Sequence, residues 1–196
     1  MKSKALYTFM DVDATIQRIK SVCESAKAGG YTTVVLPQWF VQYASELLGD
    51  SAAVGTVVGL PGGMTSTYAK YAEAKQAVQN GARVLIIPMN MEYLAQSDFA
   101  RAQNDLTEAM APCKEKAKVY ALIESGRLSP ASLQKAAGAC ANSGVDCVLL
   151  SRVCGGHVAK EELNAMASVK RIGIYGAMPP TVGEEDIHCF TVTAKA

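Results

Sequence analysis

Residues 56–82 read TVVGLPGGMTSTYAKYAEAKQAVQNGA, and the change of rhythm within them decides the fold. The run AVGTVVG (53–59) is apolar and rich in β-branched side chains, the composition of a strand. Gly59, Pro61, Gly62 and Gly63 then break the chain into a turn. From Thr65 to Asn80 alanine, lysine and glutamate take over, a helical composition, and Gly81 marks its stop. Strand, turn and helix form one βα unit.

The alternation continues in both directions. Further strands are predicted over ALYTF (5–9), TTVVL (32–36), RVLIIP (83–88), KVYALIE (118–124), DCVLL (146–150), RIGIY (171–175) and IHCFTV (187–192). Asp11 to Lys27 sets Ile16, Ile19, Cys23 and Ala26 at helical spacing and stops at Gly29-Gly30. Ser129-Pro130 is a capping residue followed by a first-turn proline, and that helix is expected to end near Gly144. Strands apolar nearly throughout, each followed by a helix, predict a parallel sheet covered on both faces. About eight units at a spacing of roughly 25 residues predict an α/β protein with a (β/α)₈ TIM barrel, one domain over residues 1–196. An open doubly wound sheet is the competitor on pattern alone. Neither Gly62-Gly63 nor Gly155-Gly156 fits the G-x-G-x-x-G pattern of a dinucleotide fold. The carboxyl end is expected to be shortened. GAMPPTVGEED leaves room for only a very short seventh helix, and the chain stops four residues after Val192, without an eighth.

The chain has 196 residues, 49% hydrophobic and 19% charged, enough for one substantial core. Nineteen basic against eighteen acidic residues leave a net charge of +1, which gives no footprint for nucleic acid or an anionic membrane. No apolar run has membrane-spanning or signal-peptide character, so a soluble cytoplasmic protein is expected. Six cysteines lack any C-x-x-C pair and several lie in apolar runs; buried reduced thiols are expected.

The stretch 56–82 resembles the deoxyribose-phosphate aldolase family, whose third strand and helix read TVVGFPLGxxxTxxKxxEAxxAxxxGA. SVCESAKAGGYTTVVL, PMNMEYLAQSDFARAQNDL and YALIESGRLS resemble the neighbouring units more weakly, so that nearly the whole chain is covered. The resemblance implies a barrel and a mechanism in which a lysine forms a Schiff base with the donor aldehyde. A second lysine and an aspartate assist. An amine attacks only when unprotonated, so such a lysine needs burial or a neighbouring cation to lower its pKa. At the matching positions this sequence has Leu149 for the nucleophile, Tyr175 for the assisting lysine and Ile86 for the aspartate. Met178 and Pro179 stand where the family cradles phosphate with glycines, and proline brings no N–H. None of the thirteen lysines is expected at a catalytic strand end: Lys118 and Lys170 start strands, and helix lysines such as Lys70 read as solvated charge.

Polar positions that match the family are Asn90, Glu124, Ser125 and Ser151, with Arg152 as a new charge. Glu124 and Arg152 end adjacent strands and are expected to pair, either as a rim ion pair or as part of a ligand site. Cys154 and His157 share the loop RVCGGH, but no third or fourth ligand accompanies them, so no metal is expected. The acidic turn Glu184-Glu185-Asp186 reads as solvated charge. Trp39 is expected to pack in the core; an exposed Trp39-Phe40 pair would instead mark a partner contact. Charged mouth positions replaced by apolar ones predict a barrel that has lost aldolase chemistry. It would work without a cofactor as a binding or partner subunit, in a homo- or hetero-oligomer, with a small-molecule ligand, no nucleic acid and no membrane. The alternative is an enzyme acting on a small sugar-phosphate or carbonyl substrate, by residual aldolase chemistry or through Glu124 and Arg152.

Overall fold

The computed structural model describes residues 5–152, 157–176 and 187–194. Eight parallel strands close into a barrel in sequence order: β1 (Ala5–Thr8), β2 (Thr33–Val35), β3 (Ala53–Val57), β4 (Val84–Pro88), β5 (Lys118–Glu124), β6 (Cys147–Ser151), β7 (Ile172–Tyr175) and β8 (Cys189–Thr193). β8 pairs with β1 through Ala5↔Phe190 to Thr8↔Thr193, which closes the ring and leaves no free edge. Each predicted strand is present within a few residues of its expected ends.

The helices are α1 (Ile16–Gly29), α2 (Val41–Leu48), α3 (Thr67–Gln79), α4 (Met91–Ala95), α5 (Phe99–Met110), α6 (Pro130–Asn142) and α7 (Lys160–Ala165). Side-chain caps fix their starts. Thr15, Ser66 and Ser129 accept from the N–H groups of Arg18, Ala69 and Ser132 at 3.2–3.3 Å. α1 starts later than its periodicity suggests. Asp11 and Asp13 instead hold Arg18 from the preceding turn, at 3.0 and 2.5 Å, and Ile16 stays 53% exposed. The buried stripe of α1 is Ile19, Val22, Cys23 and Ala26.

Alternation along the strands divides the core in two. One set of side chains faces outward and meets the helices, with Leu36, Ile87, Ile123 and Leu150 packed against residues such as Ile19, Ala74, Leu106 and Leu133. The other set fills the barrel: Leu6, Val35, Val57, Ile86, Leu122, Cys147, Leu149 and Cys189, with Met10, Tyr120 and Tyr175 against them. Gly173 belongs to this inner set, because a Cβ there would come within 2.6 Å of Cys189 and of Leu149 Cδ2.

Lys70 corrects the expectation of a solvated helix lysine. It is fully buried between α3 and α5, ion-paired with Asp105, whose other carboxylate oxygen accepts from Thr67 at 2.6 Å. Asp105 is what lets a lysine enter the helix layer: an unpaired ammonium there would be too costly to desolvate. Trp39 also departs from expectation. It is 86% exposed in a short 3₁₀ turn (Gln38–Phe40), while Phe40 is half-buried against the core. Cys23, Cys113, Cys140, Cys147 and Cys189 are buried free thiols. Among the described residues no helix is long and apolar enough to cross a membrane. Cys154, Met178, Pro179, Glu184, Glu185 and Asp186 lie outside the described residues, as does the segment expected to hold the short helix after β7.

Candidate functional site

Ile86 and Leu149 are fully buried inside the barrel, and Leu149 is the register partner of Leu122 on one side and Gly173 on the other. Tyr175 sits one layer higher, half-buried, and burial pushes its phenol pKa up. At the positions of Ile86 and Leu149 the barrel interior is therefore apolar.

The carboxyl ends of β5 and β6 bring four of the candidate polar residues together. Glu124 is the register partner of Ser151, and Ser151 of Tyr175. Ser125 is buried and donates its hydroxyl to the Ser151 carbonyl at 3.2 Å. The Ser151 hydroxyl is itself buried and has no hydrogen-bond partner among the described residues. Arg152 lies over the backbone of β5's end, its Nε 3.1 Å from where a Cβ on Gly126 would be.

Arg152 was expected to pair with Glu124; the ion pair found is with Glu162 of α7, at 3.5 Å, and Nη1 donates to the His157 carbonyl at 3.4 Å. The reason is local. Glu162 already reaches back to cap the Ala159 N–H at 2.6 Å, which holds its carboxylate beside the chain leaving β6. Asn90 is not part of this group. It caps α4, its side-chain oxygen accepting from Glu92 N at 3.0 Å. His157 is exposed, and among the described residues no three potential metal ligands converge.

A cavity of about 230 Å³ opens at the mouth on the β3–β5 side. Leu60, Pro61 and Gly62 form one wall, Pro88, Met89 and Met91 a second, and Leu122 with Glu124 the third. Gly63 clamps the first wall to the second. Its φ is +68°, and any Cβ would lie 2.4 Å from the Pro88 carbonyl oxygen, so only glycine allows this approach. The Gly59 N–H is tied down in turn by Glu73 at 2.7 Å. The cavity has little signature in the sequence because its lining is mostly apolar and comes from the turns after β3 and β4 together with the end of β5. The one available signal was parity: Glu124 follows Leu122 and Tyr120 on the inward-facing side of β5.

At the opposite end of the barrel Cys147 and Cys189 bring their sulfurs to 3.7 Å. Their shared hydrogen bond, followed by burial, pushes the Cys147 thiol pKa up.

Comparison by sequence with known proteins points to one family. The model of the DeoC/LacD family aldolases matches residues 3–149. Deoxyribose-phosphate aldolase of Aciduliprofundum boonei is 34% identical over 168 residues, 83% of this chain and 75% of that protein. The Staphylococcus epidermidis enzyme of the same name is 32% identical over 139 residues, 68% of this chain and 63% of the relative, so the matched part falls short of that enzyme's full length. Among solved structures, a candidate deoxyribose-phosphate aldolase from Coccidioides immitis superposes with a TM-score of 0.86 at 24% identity, over 97% of this chain and 81% of that one. A deoxyribose phosphate aldolase from Aeropyrum pernix, described as tetrameric, gives 0.78 at 17% identity, over 97% and 86%. At these identities the superpositions speak for the fold alone.

Proposed function

The chain belongs to the DeoC/LacD family of aldolases, and from that premise we propose that this member does not carry out Schiff-base aldol chemistry but binds a small molecule at the barrel mouth as a non-catalytic subunit. The observation that carries this reading is the barrel's inner filling. Leu149 and Ile86 occupy the positions that resemble those of the family's nucleophilic lysine and its aspartate, and both are fully buried in an apolar cluster. Lys70, the buried lysine among the described residues, is held by Asp105 in the helix layer rather than in the barrel. Its Nζ is engaged by that carboxylate and lies outside the barrel's inner cluster.

Borohydride reduction in the presence of acetaldehyde, followed by peptide mapping, tests the reading directly. The expected result is no site-specific adduct. Stoichiometric addition at a single lysine would overturn it.

The subunit part of the proposal rests on exposed apolar surface: Trp39 at 86% and Tyr68 at 80% exposure stand out from the polar exterior. The related Aeropyrum pernix enzyme is described as a tetramer. Light scattering is expected to give a mass above that of one 20.7 kDa chain, alone or with its partner; a stable monomer that captures no partner would remove this part.

A further inference from the structure

We infer that the mouth cavity takes a small uncharged molecule the size of one aromatic or alicyclic ring, held by Leu60, Pro61, Pro88, Met91 and Leu122 through apolar contact and without an ionic anchor. The inference rests on the non-aldolase reading above and names the ligand class of that same mouth.

Three observations lead to it. The first is the lining. Seven of the eight residues around the cavity are apolar or glycine, and the exposed wall is almost wholly apolar. The eighth, Glu124, is already engaged by another group of the chain and is given no part in holding a ligand. An ammonium, a carboxylate or a phosphate entering there would shed its water and meet no counter-charge set aside for it. The second is the backbone. Pro61 and Pro88 have no N–H. The Met89 N–H is committed to the Leu122 carbonyl at 2.9 Å, and the Met91 N–H to the Gly62 carbonyl at 3.2 Å. Water fares poorly in such surroundings, because it needs several polar partners, whereas an apolar guest of matching size gains from leaving the solvent. The third is form. Gly63 locks the Leu60–Gly62 wall against the Pro88 and Met89 carbonyls, and from behind the Cys140 thiol donates to the Met89 sulfur at 3.0 Å. The walls are therefore set before a ligand arrives. At about 230 Å³ the space suits one ring with short substituents and not a long chain. The Met91 thioether, unbranched and polarizable, adapts to the face or edge of such a ring.

The test is an NMR titration of the full chain, isotope-labelled at its methionine methyl groups, with toluene, phenol, benzylamine, benzoate and glyceraldehyde 3-phosphate. Toluene is expected to shift the Met91 methyl resonance saturably. The methyls of Met110 and Met166, at the carboxyl ends of α5 and α7 and away from the mouth, should stay in place. Phenol should bind about tenfold more weakly for the cost of burying an unpaired hydroxyl, and the three charged probes not at all. Met91→Trp fills the cavity and should abolish toluene binding in ligand-observed NMR. Leu60→Ala, at a half-exposed turn position, removes part of one wall and should weaken toluene about fivefold. The alanine variant keeps the test decisive if circular dichroism shows the tryptophan variant to be unfolded. No saturable shift at Met91, equal shifts at Met110 and Met166, binding of a charged probe as tight as that of toluene, or toluene binding indifferent to the folded variants would each overturn the assignment. Failure of the non-aldolase reading shows separately, as a borohydride adduct, whatever toluene does.

Discussion

Lys70 and Asp105 form an ion pair that joins α3 to α5 with both side chains almost wholly withdrawn from water, 0% and 3% exposed. Inside a protein such a pair adds less stability than its geometry suggests, because both charges were desolvated to make it. Breaking it is another matter. Asp105→Ala leaves an uncompensated ammonium and is expected to cost about 3–5 kcal/mol in chemical denaturation. The double change Lys70→Met with Asp105→Leu should recover most of that loss. If the double variant is as unstable as the single one, packing rather than charge governs this layer.

Gly173 and Gly138 make opposite predictions for the same change. A Cβ at Gly173 would fall within 2.6 Å of the Cys189 backbone oxygen, its sulfur and Leu149. Gly173→Ala should therefore cost about 1–3 kcal/mol through overpacking of the barrel interior. Gly138 lies inside α6 with nothing within 4 Å of its added Cβ. Gly138→Ala should stabilise by about 0.5–1 kcal/mol, since it removes backbone freedom from the unfolded chain. Urea midpoints compared with the parent chain check both signs.

The buried thiols give a pH dependence. Burial pushes Cys23 and Cys113 from the ordinary 9.0 to about 11. A folded-state pKa above the unfolded one means that the folded chain holds its proton more tightly. The associated stability is complete below pH 9 and is lost as pH rises to about 11. Melting temperature should fall across that interval, and Cys23→Ala with Cys113→Ala should flatten the fall relative to the starting value. An unchanged slope in the double variant would assign the alkaline loss to other groups.

Arg152 is expected to matter little. Its side chain is 35% exposed, and Glu162 keeps the Ala159 N–H as a partner when the guanidinium is removed. Arg152→Ala should cost at most about 1 kcal/mol in chemical denaturation. A loss of several kcal/mol would show that the pair with Glu162 holds the chain leaving β6 in place.

The barrel was legible because its signals are local and repeated. Each strand is a short apolar run, and each turn or cap at Gly30, Ser66 and Ser129 declares itself within a few residues. What escaped depends on contacts across the chain. Lys70 reads as a surface lysine until Asp105, thirty-five residues on, is placed beside it. Arg152 looked destined for the neighbouring strand end because Glu124 and Ser151 are in register, but Glu162 is nearer in the fold. Trp39 carried no pattern to say that its turn faces outward. The candidate site was half legible: inward parity located Glu124, whereas two of the apolar walls are built from the turns after β3 and β4, whose approach is set by Gly63.

That clasp at Gly63 has a kinetic side. A wall that neither opens to admit a ligand nor folds down to retain one lets small molecules come and go as fast as they diffuse. Among the described residues, that side of the mouth would put no moving wall in the path of a ligand exchanging with the surrounding solution. Such a mouth reports on the level of its ligand; it does not store it.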